Sequence, residues 1–287
     1  MNDRVEVRKT YKLFIGGAFP RSESGRTYEV HDTDDRFLAN AAKASRKDGR
    51  DAVLAARKGF AAWSSATAYN RGQVLYRVAE VMEGRRDQFI THVQAAEGLG
   101  DKKSARVVDS AIDRLVWYAG WADKYAQVLG NTNPVAGPYF NFTIPEPTGV
   151  VAAVAPQDSR LLGLVSVIAP IVVTGNALIV IASTKCPIPA ITLTEVLATA
   201  DVPNGVINVL TGDPAEIAPW LASHGDVNAI DLTGVTSQDL AKQLEIEAAG
   251  TVKRVRRPGQ PNWLTTPDLG RLASFVETKT VWHPIGA

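Results

Sequence analysis

The stretch from Gly149 to Leu210, GVVAAVAPQDSRLLGLVSVIAPIVVTGNALIVIASTKCPIPAITLTEVLATADVPNGVINVL, decides the fold. Val150 to Val154 is a short continuous apolar run, the mark of a strand buried on both faces. Leu161 to Thr174 is long enough for a helix, Ala177 to Ile181 is a second buried strand, and Ile191 to Thr199 a second helix. Val206 to Leu210 is a third strand. Downstream the alternation continues with a helix over Pro214 to Ser223, a strand over Ala229 to Leu232 and a helix over Gln238 to Ala249. Buried strands alternating with helices predict an α/β protein with a doubly wound parallel sheet.

Upstream the pattern differs. Tyr11 to Val30 predicts two short strands around the turns Gly16-Gly17 and Ser24-Gly25. A helix is predicted next over Asp48 to Trp63, with Val53, Ala56, Phe60 and Trp63 at helical spacing and Asp48 or Asp51 near its start. Apolar residues at the same spacing predict helix over Asn70 to Glu97 and a longer helix over Ser104 to Leu129, ended by Gly130 and Asn131. The N-terminal part is therefore expected to be mainly helical. Asn133 to Pro147 is rich in proline, glycine and aromatics. Tyr139 to Ile144 alternates as a strand would, and its flanking prolines suit the edge of a sheet.

Composition narrows the function classes. Of the 287 residues, 45% are hydrophobic and 21% charged, ample for a large core. A formal net charge of +1 offers no field for nucleic acid or an anionic membrane. The basic cluster Lys253, Arg254, Arg256 and Arg257 reads as a solvated turn. The longest apolar run, Leu161 to Val173, is too short to span a bilayer. Met1 to Thr10 has no apolar signal core, and one cysteine, Cys186, allows no internal disulfide, so a cytoplasmic location is expected. The histidines His31, His92, His224 and His283 lie far apart, without metal-ligand spacing.

Several segments together resemble the NAD(P)-dependent aldehyde dehydrogenases. Leu13-Phe14-Ile15-Gly16-Gly17 is similar to that family's first strand, and AARKGFAAW at Ala55 to Trp63 to its first helix. YAGWADKY at Tyr118 to Tyr125 resembles the helix before its oligomerisation hairpin. PTGVVAAVAP at Pro147 to Pro156 resembles its first nucleotide-fold strand. Thr174-Gly175-Asn176-Ala177, DVPNGVINVL at Asp201 to Leu210 and Leu232-Thr233-Gly234 complete the likeness to the coenzyme domain. Leu269 to Gly286 then resembles the family's extreme carboxyl end. The resemblance implies a Rossmann-like coenzyme domain formed by 1–132 with 148–268, and an oligomerisation arm formed by 133–147 with 269–287. The catalytic domain, which family members carry between these blocks, is replaced by Trp263 to Asp268.

The same resemblance implies lost chemistry. The family's nucleophilic cysteine belongs to the absent block; Cys186 stands where the family has no nucleophile and reads as a small core residue. Asp158 stands where the family has its oxyanion-donating Asn, and a carboxylate repels an oxyanion. Val255-Arg256-Arg257-Pro258 takes the place of the general-base segment and has no acid. Ile181-Ala182-Ser183-Thr184 replaces the ribose-binding Lys and Glu. In Gly234-Val235-Thr236-Ser237-Gln238-Asp239 the first pyrophosphate-side Gly remains, while Ser237 or Asp239 suits a helix cap. Gly212, Thr233 and Gly234 are the remaining cofactor-side candidates, and no catalytic residue or metal ligand is expected.

The resemblance thus implies a catalytically inactive family member. Its expected role is structural or regulatory, assembled through its arm with a full-length aldehyde dehydrogenase, since it has no catalytic sheet of its own with which to pair another arm. Self-association is a second use of the arm. No cofactor is expected. The alternatives are a residual NAD(P)-binding oxidoreductase or sensor completed by a partner's residues, and a decaying product that exposes apolar surface where the catalytic domain is missing.

Overall fold

The computed structural model describes residues 8–286. In chain order, β1 (Thr10–Tyr11), β2 (Thr27–His31) and β3 (Phe37–Ala42) form a small sheet in the order β1-β3-β2. Five helices come next: α1 (Arg46–Ser65), α2 (Ala68–Glu83), α3 (Arg86–Glu97), α4 (Asp101–Trp121) and α5 (Tyr125–Leu129). Then come β4 (Asn131–Asn133), β5 (Tyr139–Pro147), β6 (Val150–Val154), α6 (Leu162–Val173), β7 (Ala177–Ile181) and α7 (Ile188–Leu197). The chain continues through β8 (Ile207–Leu210), α8 (Pro214–Ser223), β9 (Ala229–Asp231), α9 (Gln238–Ala249) and β10 (Arg254–Arg256). It ends with α10 (Gly270–Ala273) and β11 (Val276–Pro284).

The expected doubly wound sheet is present. Five parallel strands run in the order β10-β9-β6-β7-β8. Side chains alternate between its faces. Val151, Ala153, Leu178, Val180 and Val209 enter a core shared with α2, α3, α4, α6 and α7. Val150, Ala152, Val154, Ile179 and Ile181 enter a second core against α1, α8 and α9. Helix α6 is buried on every side, which is why its sequence lacks a polar stripe. Trp63 crosses between the layers, and its indole N–H donates to the Val172 carbonyl at 2.8 Å.

Several local expectations are corrected. Helix α1 begins earlier than Asp48. Ser45 is the N-cap, and Asp48 accepts from the Ser45 backbone N–H at 2.6 Å, so the two make a capping box. The segment Asn70 to Glu97 is two helices, broken at Gly84 and Arg85, and Ser104 to Leu129 likewise divides into α4 and α5. Three strands lack a signal in the residue pattern: β3, the short polar β4, which reads only as a helix end, and β10, whose Arg-Val-Arg reads as part of a basic turn.

The proline-rich strand β5 is the middle of its sheet, not the edge: the order is β11-β5-β4. The prolines are tolerated because β4 is short. It pairs only with Asn141 to Thr143, so Pro145 and Pro147 lie where β11 alone flanks the strand.

Candidate functional site

In the five-stranded sheet the chain runs outward from β6 through β7 to β8, then returns to β9 on the other side of β6. The order reverses between β6 and β9, and open α/β sheets take ligands just beyond the carboxyl ends of strands at such a point. A cavity of about 530 Å³ lies there. Its walls come from Pro156 to Ser159 after β6, Thr233 to Thr236 after β9, Gln238 at the start of α9, and Pro258 to Leu264.

Sequence and local chemistry explain each wall. Gly234 donates its backbone N–H to the Val154 carbonyl at 3.1 Å, and a Cβ there would overlap the Ala155 carbonyl oxygen. Glycine is thus required by the approach of the two strand ends, whatever the ligand. Thr233 is also committed: its N–H and hydroxyl both donate to Asp231 Oδ1. Gln157 spans to β7, donating to the Ala155 carbonyl and accepting from the Thr184 N–H.

Two buried arginines hold the Pro258–Leu264 wall and the short segment after it. Arg114 donates to Ser166 Oγ at 2.9 Å and to the Trp263 and Thr265 carbonyls at 2.6 and 2.9 Å. Arg271 pairs with the fully buried Asp231 at 3.1 Å, donates to Thr233 Oγ1 at 3.1 Å, and lies 4.9 Å over the Trp263 ring. Burial pushes both guanidinium groups below their usual pKa, partly opposed at Arg271 by Asp231. The segment Trp263 to Asp268, which stands where a domain is expected, is therefore tied into the core.

The sequence candidates do not converge. Thr233 and Gly234 line the cavity, and Gly212 does not. Gly212 comes after β8 at φ +132°, beside Lys43 and Ala44, and its carbonyl accepts from Thr184. Asp158 lines the cavity and is exposed. Cys186 is buried in the core. Burial pushes its thiol pKa up, and the nearby cation that lowers it is Arg160, not the exposed Lys185. Ile181, in the segment that replaces the ribose-binding Lys and Glu, is a core residue. Ser237, rather than Asp239, caps α9 by accepting from the Leu240 N–H.

Sequence reasoning missed Glu97 at the end of α3. Its carboxylate accepts from the Arg160 N–H at 2.6 Å and from the Leu161 N–H, just ahead of α6. Burial nevertheless raises its pKa, with Asp158 adding to the rise. Ser159 Oγ accepts from the Gly163 N–H. Only the folded chain brings Glu97 to residues 160 and 161, so no local signal marks it.

The basic cluster is structural. Lys253 is buried and donates to the His224 carbonyl; Arg254 grips Glu277 with two bonds, of 2.6 and 2.7 Å. Arg256 donates to Ser274 Oγ, and Arg257 lies 3.4 Å from Glu245. Among the described residues no group of three or more His, Cys, Asp or Glu side chains is arranged to hold a metal, and no helix is long and apolar enough to cross a membrane.

Away from the cavity, β11 pairs with β5 in an unbroken nine-residue antiparallel register, from Val276↔Pro147 to Pro284↔Tyr139. Phe140, Phe142, Ile144 and Val281 share one face by that register, and Tyr139 and Trp282 meet edge-on at 5.7 Å on the other. Tyr139, Phe140, Ile144 and Trp282 are exposed, Trp282 by 58%. The outer edge of β11 has no strand neighbour among the described residues.

A parallel sheet with a switch-point crevice and a β arm made from its two flanking segments defines an α/β protein of the doubly wound type. Residues 19–257 match the aldehyde dehydrogenase family, and the chain belongs to that family. It is 33% identical to retinal dehydrogenase 2 of Gallus gallus over 258 residues, which is 88% of this chain and 48% of that protein. It is 31% identical to cytosolic aldehyde dehydrogenase 1 of Elephantulus edwardii, covering 88% of this chain and 50% of that one. The NAD+ complex of an aldehyde dehydrogenase from Bacillus cereus superposes with a TM-score of 0.80 at 25% identity, over 86% of this chain and 50% of that chain. The chain thus spans about half the length of the relatives it matches.

The cavity's donor set is poor in what a nicotinamide dinucleotide's diphosphate needs. A diphosphate needs cations or free backbone N–H groups. The lining contains no Lys, Arg or His. At α6 the N–H groups of Arg160, Leu161 and Gly163 already donate to Glu97 and Ser159, and at α9 the Leu240 N–H donates to Ser237.

Proposed function

We propose that this chain is a non-catalytic member of the aldehyde dehydrogenase family. In this reading it serves as a structural or regulatory subunit that docks through β5 and β11 on a full-length aldehyde dehydrogenase. The observation that carries the proposal is the arm: an in-register pair of nine-residue strands with an open outer edge and exposed aromatics. Backbone groups along an open edge favour strand addition, and the aromatic side chains supply area that desolvates on contact. A complete family member offers the sheet edge that this chain lacks.

The reading treats 1–132 with 148–268 as the coenzyme-type domain and 133–147 with 269–287 as the arm, working in the cytoplasm. The loss of activity rests on the residues at the expected positions: Asp158 for the oxyanion donor, a buried Cys186 as the sole thiol, and no acid in Val255 to Pro258. A residual cofactor-dependent role has weaker support, because Gly234 and Thr233 have structural duties and Gly212 lies outside the cavity.

The test is co-expression with a full-length aldehyde dehydrogenase from the same organism, then native mass determination. A mixed complex of defined mass is expected, and Phe140→Asp in this chain should abolish it. If the chain remains a folded homomer beside the full-length enzyme, the subunit reading fails and self-association through the same arm takes its place.

A further inference from the structure

The switch-point cavity keeps the place and size of a small-molecule site, while its chemistry differs from that of an anion site. Asp158 is its one ionisable lining residue, and it has no ion-pair partner among the described residues. Arg160, the nearest cation in sequence, is outside the lining and donates Nε to the Gln157 carbonyl at 3.0 Å. The exposed amides of Gln238, Gln260 and Asn262 stand on the same walls and can donate or accept.

We infer that this cavity binds a small cationic ligand, an ammonium-bearing molecule with hydrogen-bonding groups, in preference to any anion, with Asp158 as the counter-charge. The ammonium group is held by the exposed carboxylate, and the surrounding amides satisfy the ligand's remaining polar atoms. A diphosphate is repelled by Asp158, meets no cation in the lining, and finds the N–H groups of Arg160, Leu161, Gly163 and Leu240 already bonded to Glu97, Ser159 and Ser237. The inference concerns the lone chain and stands whether or not the arm finds a partner.

A charge series on one ring framework tests it. Benzylamine, benzyl alcohol and benzoate are titrated into the uniformly 15N-labelled full-length chain, with NAD+ as a fourth probe. Backbone and side-chain amide shifts are monitored at Gln157, Gln238, Gln260 and Asn262. Benzylamine is expected to bind about fivefold more tightly than benzyl alcohol, the scale of one solvent-accessible ion pair, with benzoate and NAD+ producing no saturable shift. Asp158→Asn should remove the ammonium preference while leaving the rest of the spectrum unchanged. Asp158 is exposed and unpaired, so the variant is expected to fold. Saturable NAD+ binding at these amides, equal affinity for the amine and the alcohol, or an ammonium preference that survives Asp158→Asn would each overturn the inference.

Discussion

Breaking the Arg271–Asp231 pair should release the carboxyl-terminal block from the coenzyme-type domain. Asp231 is fully buried at the end of β9, and Arg271 comes from α10, directly ahead of arm strand β11. The pair is 3.1 Å apart, and the guanidinium also reaches Thr233 and covers Trp263. Arg271→Met removes the charge while keeping an apolar stem, leaving the Asp231 carboxylate buried without its cation. Removing one partner of a buried pair costs about 3–5 kcal/mol. Asp231→Asn strands the guanidinium in the same way. The double variant leaves no uncompensated charge, so its cost should fall below the sum of the single costs by about 2 kcal/mol. Urea unfolding monitored by far-UV circular dichroism gives the four stabilities, and Trp263 emission reports the junction separately. Single-variant costs below about 1 kcal/mol, or strict additivity in the cycle, would show that the pair does not hold the block and refute the reasoning.

The same geometry sets other outcomes. Gly234→Ala should destabilise by about 3 kcal/mol in urea, because its methyl overlaps the Ala155 carbonyl in a close-packed strand crossing. Ser45→Ala should cost about 1 kcal/mol through loss of half the capping box, measured the same way. Glu97 gives a pH signature. Its folded pKa is raised above the ordinary 4.5, chiefly by burial, so the fold binds its proton more tightly than the unfolded chain does. Its contribution is fully present below the unfolded value and is lost as pH rises through the folded one. Urea midpoints against pH should therefore fall across that window in the parent, and less so in Glu97→Gln. A parent midpoint that rises there, with the rise absent from Glu97→Gln, would contradict the sign. Trp282→Ala should change the lone chain's stability by less than about 0.5 kcal/mol, since its side chain is mostly exposed, while weakening the proposed mixed complex in native mass measurements.

The central fold was legible because strands buried on both faces leave unbroken apolar runs. Ala177–Ile181, Pro214–Ser223 and Gln238–Ala249 begin and end where the residue pattern places them. What escaped was decided by tertiary context. The strand Phe37–Ala42 contains Asn and several alanines and gains its stability from partners on both sides, β1 and β2. Arg254–Arg256 is polar in sequence, yet it pairs along β9 and has its charges answered by Glu277 and Ser274. The break at Gly84 and Arg85 leaves the apolar period nearly in phase, so α2 and α3 read as one helix. For the site, the separation of Gly212 from Thr233 and Gly234 comes from strand order, which a linear reading does not supply. Glu97 lies 63 residues from the Arg160 N–H whose bond it accepts.

The distribution of exposed apolar side chains bears on what the chain retains. A coenzyme-type domain that had merely lost its neighbour would show bare apolar surface around the crevice. Here the crevice walls expose Asp158, Thr236, Gln238, Gln260 and Asn262, and Leu264 is the one large apolar residue strongly exposed there. By contrast, five of the thirteen large hydrophobics most exposed among the described residues, Tyr139, Phe140, Ile144, Trp282 and Ile285, belong to the arm or its immediate end. The crevice lining mixes these polar side chains with Val107, Leu162, Val235, Trp263, Leu264 and three prolines, while exposed aromatics stand on the strand pair whose outer edge is open. The open outer edge of β11 and the exposed aromatics beside it make the arm, rather than the crevice, the place where the subunit proposal succeeds or fails.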